Sequence, residues 1–370
     1  MSGEVQAPSL TREGWGGLRF QTVSASQYHR EHTMKAILMT AAGSAEVLAL
    51  RKIEIPELPS PHHLRVKLAA AGVNPLDTKL RAKPVYYPDN LPAILGCDGA
   101  GIVEKIGAAV TRFKVGDAVF FNNGGLGGNQ GDEPGCYAEY TTLHEEYCAA
   151  SPANLSLQDS AALPLVLLTV WEALVERANL QAGQTILIHG AAGGVGHIAV
   201  QLAHHLGARI AATVGDDKKA MLVQGLDTEK TILYKTQDFV QETLSWTNGK
   251  GVDVVLDTVG GETFLRSMNA ARVGGKIVTL LSTPLSLADT QLARLRNLSL
   301  CYELMLAPQV MKLHEERIRQ RNILEHCAQL IADGKLGVLV SFALPLAEAQ
   351  QAHRLIEQGG VMGKIILTMG

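Results

Sequence analysis

The stretch Thr185-Ile186-Leu187-Ile188-His189-Gly190-Ala191-Ala192-Gly193-Gly194-Val195-Gly196 joins a short apolar run to a glycine cluster and then to a helical pattern. A strand, a tight turn and a helix in that order make a cradle for a dinucleotide pyrophosphate. Gly193 and Gly194 carry no Cβ to hold backbone amides away from phosphate oxygens, and Gly196 lets the helix pack closely on the strand. The helix N-terminus then attracts the anion. Glycine-rich turns between strand and helix are common, so the flanking sequence must carry the inference.

Those flanks alternate. From about 160 to 300 the pattern predicts a helix over 171–178, a strand over 185–189, a helix over 195–206 and a strand over 209–214, with further strands at 252–257 and 276–281. That rhythm implies a parallel sheet covered by helices on both faces. From Lys35 to Val119, short β-type runs separated by Gly and Pro, such as 65–68, 101–103 and 117–120, imply a β-rich unit instead. Residues 122–135, NNGGLGGNQGDEPG, carry six glycines and read as an exposed loop, either a plain connector or a lid over an entrance. After 305 come a helical pattern around 317–332, a second over 346–358 and a terminal strand over 364–368, a tail expected to return to the first unit. No fixed-period repeat occurs.

At 370 residues and 46% hydrophobic content the chain is long enough for two domains with substantial cores. Its net charge of −3 is spread without a basic tract, which gives nucleic acid no footprint. The apolar runs are too short or interrupted to span a bilayer. Residues 1–33 lack the apolar core of a secretory signal and read as a poorly ordered extension or a misassigned start, with Met34 opening the folded part. Five scattered cysteines, Cys97, Cys136, Cys148, Cys301 and Cys327, form no CxxC pair; they suit reduced thiols in a cytoplasmic protein and no structural zinc lobe.

An acidic residue ending the second strand would accept both ribose hydroxyls of NAD. Here that strand ends on Val214 and continues Gly215-Asp216-Asp217-Lys218-Lys219. Small residues followed by lysines suit the 2′-phosphate of NADPH. Asp216 reads either as a helix cap or as a displaced ribose acceptor, the latter keeping NAD open.

Over nearly all of 34–370 the chain resembles the zinc-independent quinone oxidoreductase branch of the medium-chain dehydrogenases/reductases. The resemblance rests on AAGVNPLDTKLR (70–81), LGCDGAGIVEKIG (95–107), GCYAEY (135–140), HGAAGGVGHIAVQLA (189–203), NGKGVDVVLDTVGG (248–261) and MGKIILT (362–368). It implies an α/β architecture in which a GroES-like β-rich catalytic domain over 34–157, completed by 309–370, faces a Rossmann doubly wound parallel-sheet cofactor domain over 158–308.

The resemblance also implies site residues. Asn74 is placed near the nicotinamide, and a cleft tyrosine is matched best by Tyr87, with Tyr86 its alternative; that phenol serves as a hydrogen-bond donor or as plain aromatic packing. Thr169 falls near the nicotinamide, Ala192, Gly193, Gly194 and Val195 around the pyrophosphate, Lys219 at the 2′-phosphate, Tyr234 beside the adenosine, and Gly260 with Gly261 at the end of the fourth strand. Where zinc-dependent relatives carry a cysteine and a Gly-His-Glu motif, this chain has Asn74 and Gly96-Cys97-Asp98, so no metal is expected and carbonyl polarisation falls to hydrogen-bond donors. His189, His197, His204 and His205 read as structural or exposed.

The reading is an NADPH-dependent reductase of a small-molecule quinone or enone. An enoyl thioester reductase, a zinc-dependent alcohol dehydrogenase and a catalytically silent nucleotide-binding scaffold or sensor are its rivals. The resemblance implies a homodimer joined near 298–306, a run apolar enough for an interface or an internal strand alike.

Overall fold

Strands of four to nine residues between Thr185 and Tyr302 pair in parallel, in the order Lys230–Leu233, Arg209–Val214, Thr185–Ile188, Val252–Asp257, Ala271–Thr279 and Ser299–Tyr302. The computed structural model describes residues 32–83, 91–126 and 133–370, together with an antiparallel pairing of Val5–Gln6 with Thr22–Val23. Ile186, Leu187 and Ile188 of the central strand are fully buried, as a strand covered on both faces requires. Strand order reverses between Thr185–Ile188 and Val252–Asp257. A crevice opens at such a switch point, beyond the carboxyl ends of the strands.

The second large sheet runs in the order Ala149–Ala150, Ala118–Asn122, Asp98–Ile106, His63–Val73, Lys364–Thr368 and Val340–Pro345, with Tyr140–His144 also paired to His63–Val73. A smaller sheet joins Leu48–Glu54, Thr33–Met39 and Ala93–Ile94. The tail therefore returns as its pattern predicts: Ile365 lies antiparallel opposite Val73 and Thr368 opposite Ala70.

Hydrogen bonds tie the returning tail to the glycine turn. The Gly363 N–H donates to the Ala192 carbonyl at 2.8 Å, and the Leu339 N–H donates to His197 Nε2 at 3.3 Å. Gln201 exchanges two hydrogen bonds with the backbone of Gly337, at 2.8 and 2.9 Å. Strand Lys364–Thr368 thus begins beside the nucleotide-side turn.

Some expectations shift. The helix expected over 171–178 is an α-helix over Pro164–Trp171 that widens into a π-helix over Glu172–Arg177. The strand expected from 276 begins at Ala271, because that end pairs with Val252 across a register shift. The flanks of the 122–135 loop are not exposed: Asn123 and Leu126 are buried, since Arg317 donates to Asn123 Oδ1 at 2.6 Å and pairs with Glu133, while Gln309 donates to the Gly124 carbonyl at 3.1 Å. Residues 127–132 lie outside the described residues. Strand Ser299–Tyr302 pairs with Ala271–Thr279 on one side and is the edge of this sheet among the described residues. Thr33, one residue before Met34, opens the first strand of the β-rich part.

Candidate active site

Between the two large sheets lies a cavity of about 460 Å³, lined by Asn74, Thr169, Gly190, Gly193, Gly194, Val195, Thr258, Gly363 and Lys364, and by apolar side chains including Leu76, Val166, Leu280, Met305, Leu306 and Val361. Its nucleotide side is mostly backbone. Gly190 sits at φ +63°, where an L side chain is strained, and a Cβ there would approach Thr258 Oγ1 to 2.6 Å. The helix begins at Gly194 with Gly193 as its cap, so no side chain occupies the first-turn amides and they remain available to an anion. A Cβ on Gly196 would lie 2.2 Å from the Gly190 carbonyl oxygen, which explains the close helix–strand approach.

The opposite side is a buried polar network. Asn74, only 1% exposed, precedes the helix Pro75–Ala82, whose first position is a proline suited to a helix start. Its Nδ2 donates to Asp98 Oδ2 at 2.9 Å, and its Oδ1 accepts from the Lys364 ammonium, which also donates to the Val73 carbonyl at 3.2 Å. Asp98 Oδ1 accepts from Asn122 Nδ2 at 2.9 Å and from the Leu165 N–H at 2.8 Å. Asp77 Oδ2 accepts from the Asn74 N–H at 2.8 Å and from the Tyr137 hydroxyl at 3.0 Å. The chain continues through His353 Nε2, 3.2 Å from that hydroxyl, to Arg81, which pairs with Glu357.

Burial sets the charges. It pushes Asp77 up to about 7, outweighing the hydrogen bonds from Asn74 and Tyr137 that favour its ionised form. Burial likewise raises Asp98 and lowers Lys364, each partly offset by the other's charge. His353 is held down at about 3 by burial and then by the neighbouring Arg81, so it is neutral at pH 7. A neutral imidazole supplies one donor and one acceptor nitrogen to this network.

Of the residues singled out in the sequence, Asn74, Thr169, Gly193, Gly194 and Val195 line one cavity. Thr169 has its hydroxyl committed, donating to the Leu165 carbonyl at 2.7 Å. Ala192 is buried just behind the turn and holds Gly363. Lys219 stands at the rim: its Nζ is 4.0 Å from where a Cβ of the cavity-lining Gly360 would sit, and 3.4 Å from Asp216 Oδ2. Asp216 caps the helix Asp217–Gln224 by accepting from the Lys219 N–H, which is the capping reading. The Tyr234 hydroxyl is 3.0 Å from the Cβ position of Gly215, and its ring is half exposed. Gly260, at φ +76°, makes a turn whose N–H donates to Asp257 and whose Cβ position faces Leu281; it does not border the cavity. Tyr86 and Tyr87 lie outside the described residues. His189 and His197 are buried in hydrogen bonds, and His204 and His205 are exposed.

Sequence reading missed Lys364, Asp98, Asp77, Tyr137 and His353 as members of one constellation. The available signal was a lysine opening the otherwise apolar strand KIILT. Nothing local announces its partner, 290 positions away.

This pairing of a GroES-like sheet with a Rossmann sheet across a cleft defines the dehydrogenase/reductase fold. Residues 60–153 match the family model described as alcohol dehydrogenase GroES-like domain, and residues 226–367 match the one described as zinc-binding dehydrogenase. A quinone oxidoreductase of Pseudomonas aeruginosa is 32% identical over 90% of this chain and 99% of its own length. The crystal structure of Escherichia coli quinone oxidoreductase complexed with NADPH superposes with a TM-score of 0.80 at 29% identity, covering 90% of this chain and all of that one. A phenolphthiocerol/phthiocerol polyketide synthase subunit of Mycobacterium tuberculosis is 32% identical over 99% of this chain, a match that takes up 16% of that larger protein. The chain belongs to the quinone oxidoreductase branch of the medium-chain dehydrogenase/reductase superfamily, a group of oxidoreductases.

The zinc in one of those family descriptions does not suit the donors found here. Both Asp98 oxygens are taken by N–H groups, and Asn74 Oδ1 is taken by an ammonium. Among the described residues no three His, Cys, Asp or Glu side chains lie close enough to share an ion.

Proposed function

We propose that this protein is an NADPH-dependent reductase that directs hydride to a quinone or an α,β-unsaturated carbonyl without a metal. The observation that carries the reading is that one apolar cavity brings the uncapped glycine turn, Gly193 to Val195, together with the Asn74 amide. The resemblance to the NADPH-complexed Escherichia coli enzyme supports the choice of cofactor. Bound NADPH would supply the hydride. The first-turn amides of the helix Gly194–His205 would hold its pyrophosphate, and Lys219 with Tyr234 would meet the adenosine end and its 2′-phosphate.

On the chemical side, the residues orient and polarise. Asn74 offers an N–H to the acceptor oxygen as negative charge develops there, and the surrounding Leu76, Leu280, Met305 and Leu306 exclude water, which strengthens that bond. Tyr87 is proposed as a second donor at the cleft. The division into a catalytic unit, 34–157 with 309–370, and a cofactor unit, 158–308, is supported by the pairing of strand Lys364–Thr368 with His63–Val73. A homodimer through the edge strand Ser299–Tyr302 is supported by its unpaired side and by the exposed apolar side chains Tyr302, Leu304 and Leu295. A cytoplasmic location is supported by the free thiols, and no helix among the described residues is long and apolar enough to cross a membrane.

An enoyl thioester reductase is the second reading, favoured by the match of nearly the whole chain to a segment of a polyketide synthase subunit. Turnover of NADPH and NADH against a panel of quinones, enones and an enoyl-CoA decides. Preferred consumption of NADPH with a quinone or enone is the expected result. Preference for the enoyl-CoA would move the assignment to the second reading, and consumption of neither cofactor, despite tight binding, would replace it with a silent sensor.

A further inference from the structure

Lys364 is 3% exposed, yet it borders the cavity. Its stem lies against the glycine turn: a Cβ on Gly194 would come within 3.0 Å of Lys364 Cδ. Its ammonium ends on Asn74 Oδ1 and the Val73 carbonyl. One side chain therefore runs from the turn proposed for the pyrophosphate to the amide proposed for the acceptor.

The chemistry of the three partners removes a choice that an amide otherwise has. An ammonium only donates, and an ionised carboxylate only accepts. With Lys364 on one side and Asp98 on the other, the Asn74 amide has one satisfied orientation, Oδ1 toward Lys364 and Nδ2 toward Asp98. A flipped amide would set donor against donor and acceptor against acceptor. In the held orientation one of the two Nδ2–H bonds is spent on Asp98, and the second is uncommitted on a residue that lines the cavity.

We propose that Lys364 is the positioning residue of this cleft, holding the Asn74 amide so that its second Nδ2–H faces the acceptor oxygen. The inference rests on the reading of Asn74 given under Proposed function. Lys364 does not touch the acceptor; it acts through Asn74, and its charge is balanced by the buried Asp98 and Asp77. Besides those carboxyl groups, the neighbouring ionisable group is His197, which burial keeps toward its neutral form and which the lysine's charge pushes the same way. Because burial lowers the Lys364 pKa, the ammonium is lost at a pH below the ordinary lysine range, and a neutral amine can accept as well as donate. The amide is then no longer confined to one orientation, and turnover is expected to fall.

The test uses the full-length protein and two substitutions. Lys364→Met keeps the stem and removes the donor; kcat is expected to fall by about 30-fold or more, while NADPH affinity from fluorescence titration stays within about threefold. Lys364→Arg keeps a donor that does not deprotonate; it is expected to recover most of the kcat and to abolish the alkaline limb of the wild-type kcat profile. A readout independent of turnover comes from protein labelled with ¹⁵N-asparagine. The Asn74 side-chain amide signals should shift in Lys364→Met and titrate at alkaline pH in the wild type but not in Lys364→Arg.

Unchanged kcat in Lys364→Met, or Asn74 signals indifferent to both substitution and pH, would overturn the proposal. If Lys364→Met does not fold, the wild-type alkaline limb and its disappearance in Lys364→Arg carry the test, and persistence of that limb overturns the idea. A wild-type protein that turns over none of the acceptors removes the functional reading instead, while the amide signals still report whether Lys364 holds Asn74.

Discussion

The two walls of the cleft are built on different principles. On the nucleotide wall the work falls to backbone: Gly190 at positive φ, an uncapped helix start at Gly194, and Gly196 packed where no Cβ fits. On the opposite wall it falls to buried side chains, Asn74, Asp77, Asp98, Tyr137 and Lys364, gathered from four separate stretches of chain and held by hydrogen bonds. A backbone cradle needs contiguous residues of the right size. A charged network needs distant residues to arrive together, and each member left unpaired would cost more than its bond contributes. The first wall is thus local and sterically set, while the second is nonlocal and electrostatically set.

Three measurements bear on that contrast. The largest expected effect comes from Gly196→Ala, which forces a methyl to within 2.2 Å of the Gly190 carbonyl oxygen and 2.6 Å of Ala191 Cα. We expect a loss of about 3 kcal/mol in urea unfolding, with NADPH binding weakened in parallel. A variant as stable as the wild type would show that steric contact does not govern this wall.

A smaller effect is expected across the cleft at Asp77, whose carboxyl is raised to about 7 by burial. A carboxyl pKa raised on folding favours the protonated native state. That contribution is complete below the unfolded value near 4 and is lost as pH climbs through about 7. Between pH 5 and pH 7 the wild type should therefore lose about 2 kcal/mol relative to Asp77→Asn, at about 1.4 kcal/mol per pH unit. Parallel stability curves for the two proteins would contradict the electrostatic account of that wall.

The smallest effect concerns the rim. Lys219→Ala should weaken NADPH binding by about tenfold, as loss of one charge-assisted contact would, and leave NADH binding unchanged. Equal loss for both cofactors would move Lys219 from recognition of the 2′-phosphate to support of the Asp216 cap.

Legibility in the sequence followed the same division. The strand Thr185–Ile188, the glycine turn and the helix Gly194–His205 follow from period, glycine and length, because each depends on neighbours within a few positions. The terminal strand Lys364–Thr368 was legible too, as a run bounded by Gly363. Its partner was not: antiparallel pairing with His63–Val73 joins residues some 290 positions apart, and no local pattern encodes that register. The loop at 122–135 misled because its glycines suggested exposure, whereas Arg317 and Gln309, from the far end of the chain, pin its flanks into the interior.

By itself, then, the sequence determined the alternation of strands and helices, the glycine turn, the ordered motifs that mark the family, and the absence of an acid at Val214. Those properties are written in short windows, where sterics and periodicity act. Only the tertiary structure decided that Lys364 reaches Asn74, that Asp98 and Asp77 lie beside it, and that the returning tail closes the cavity against the glycine turn. Desolvation and hydrogen bonding between distant residues set those features, and such forces exist only once the chain has brought the residues together.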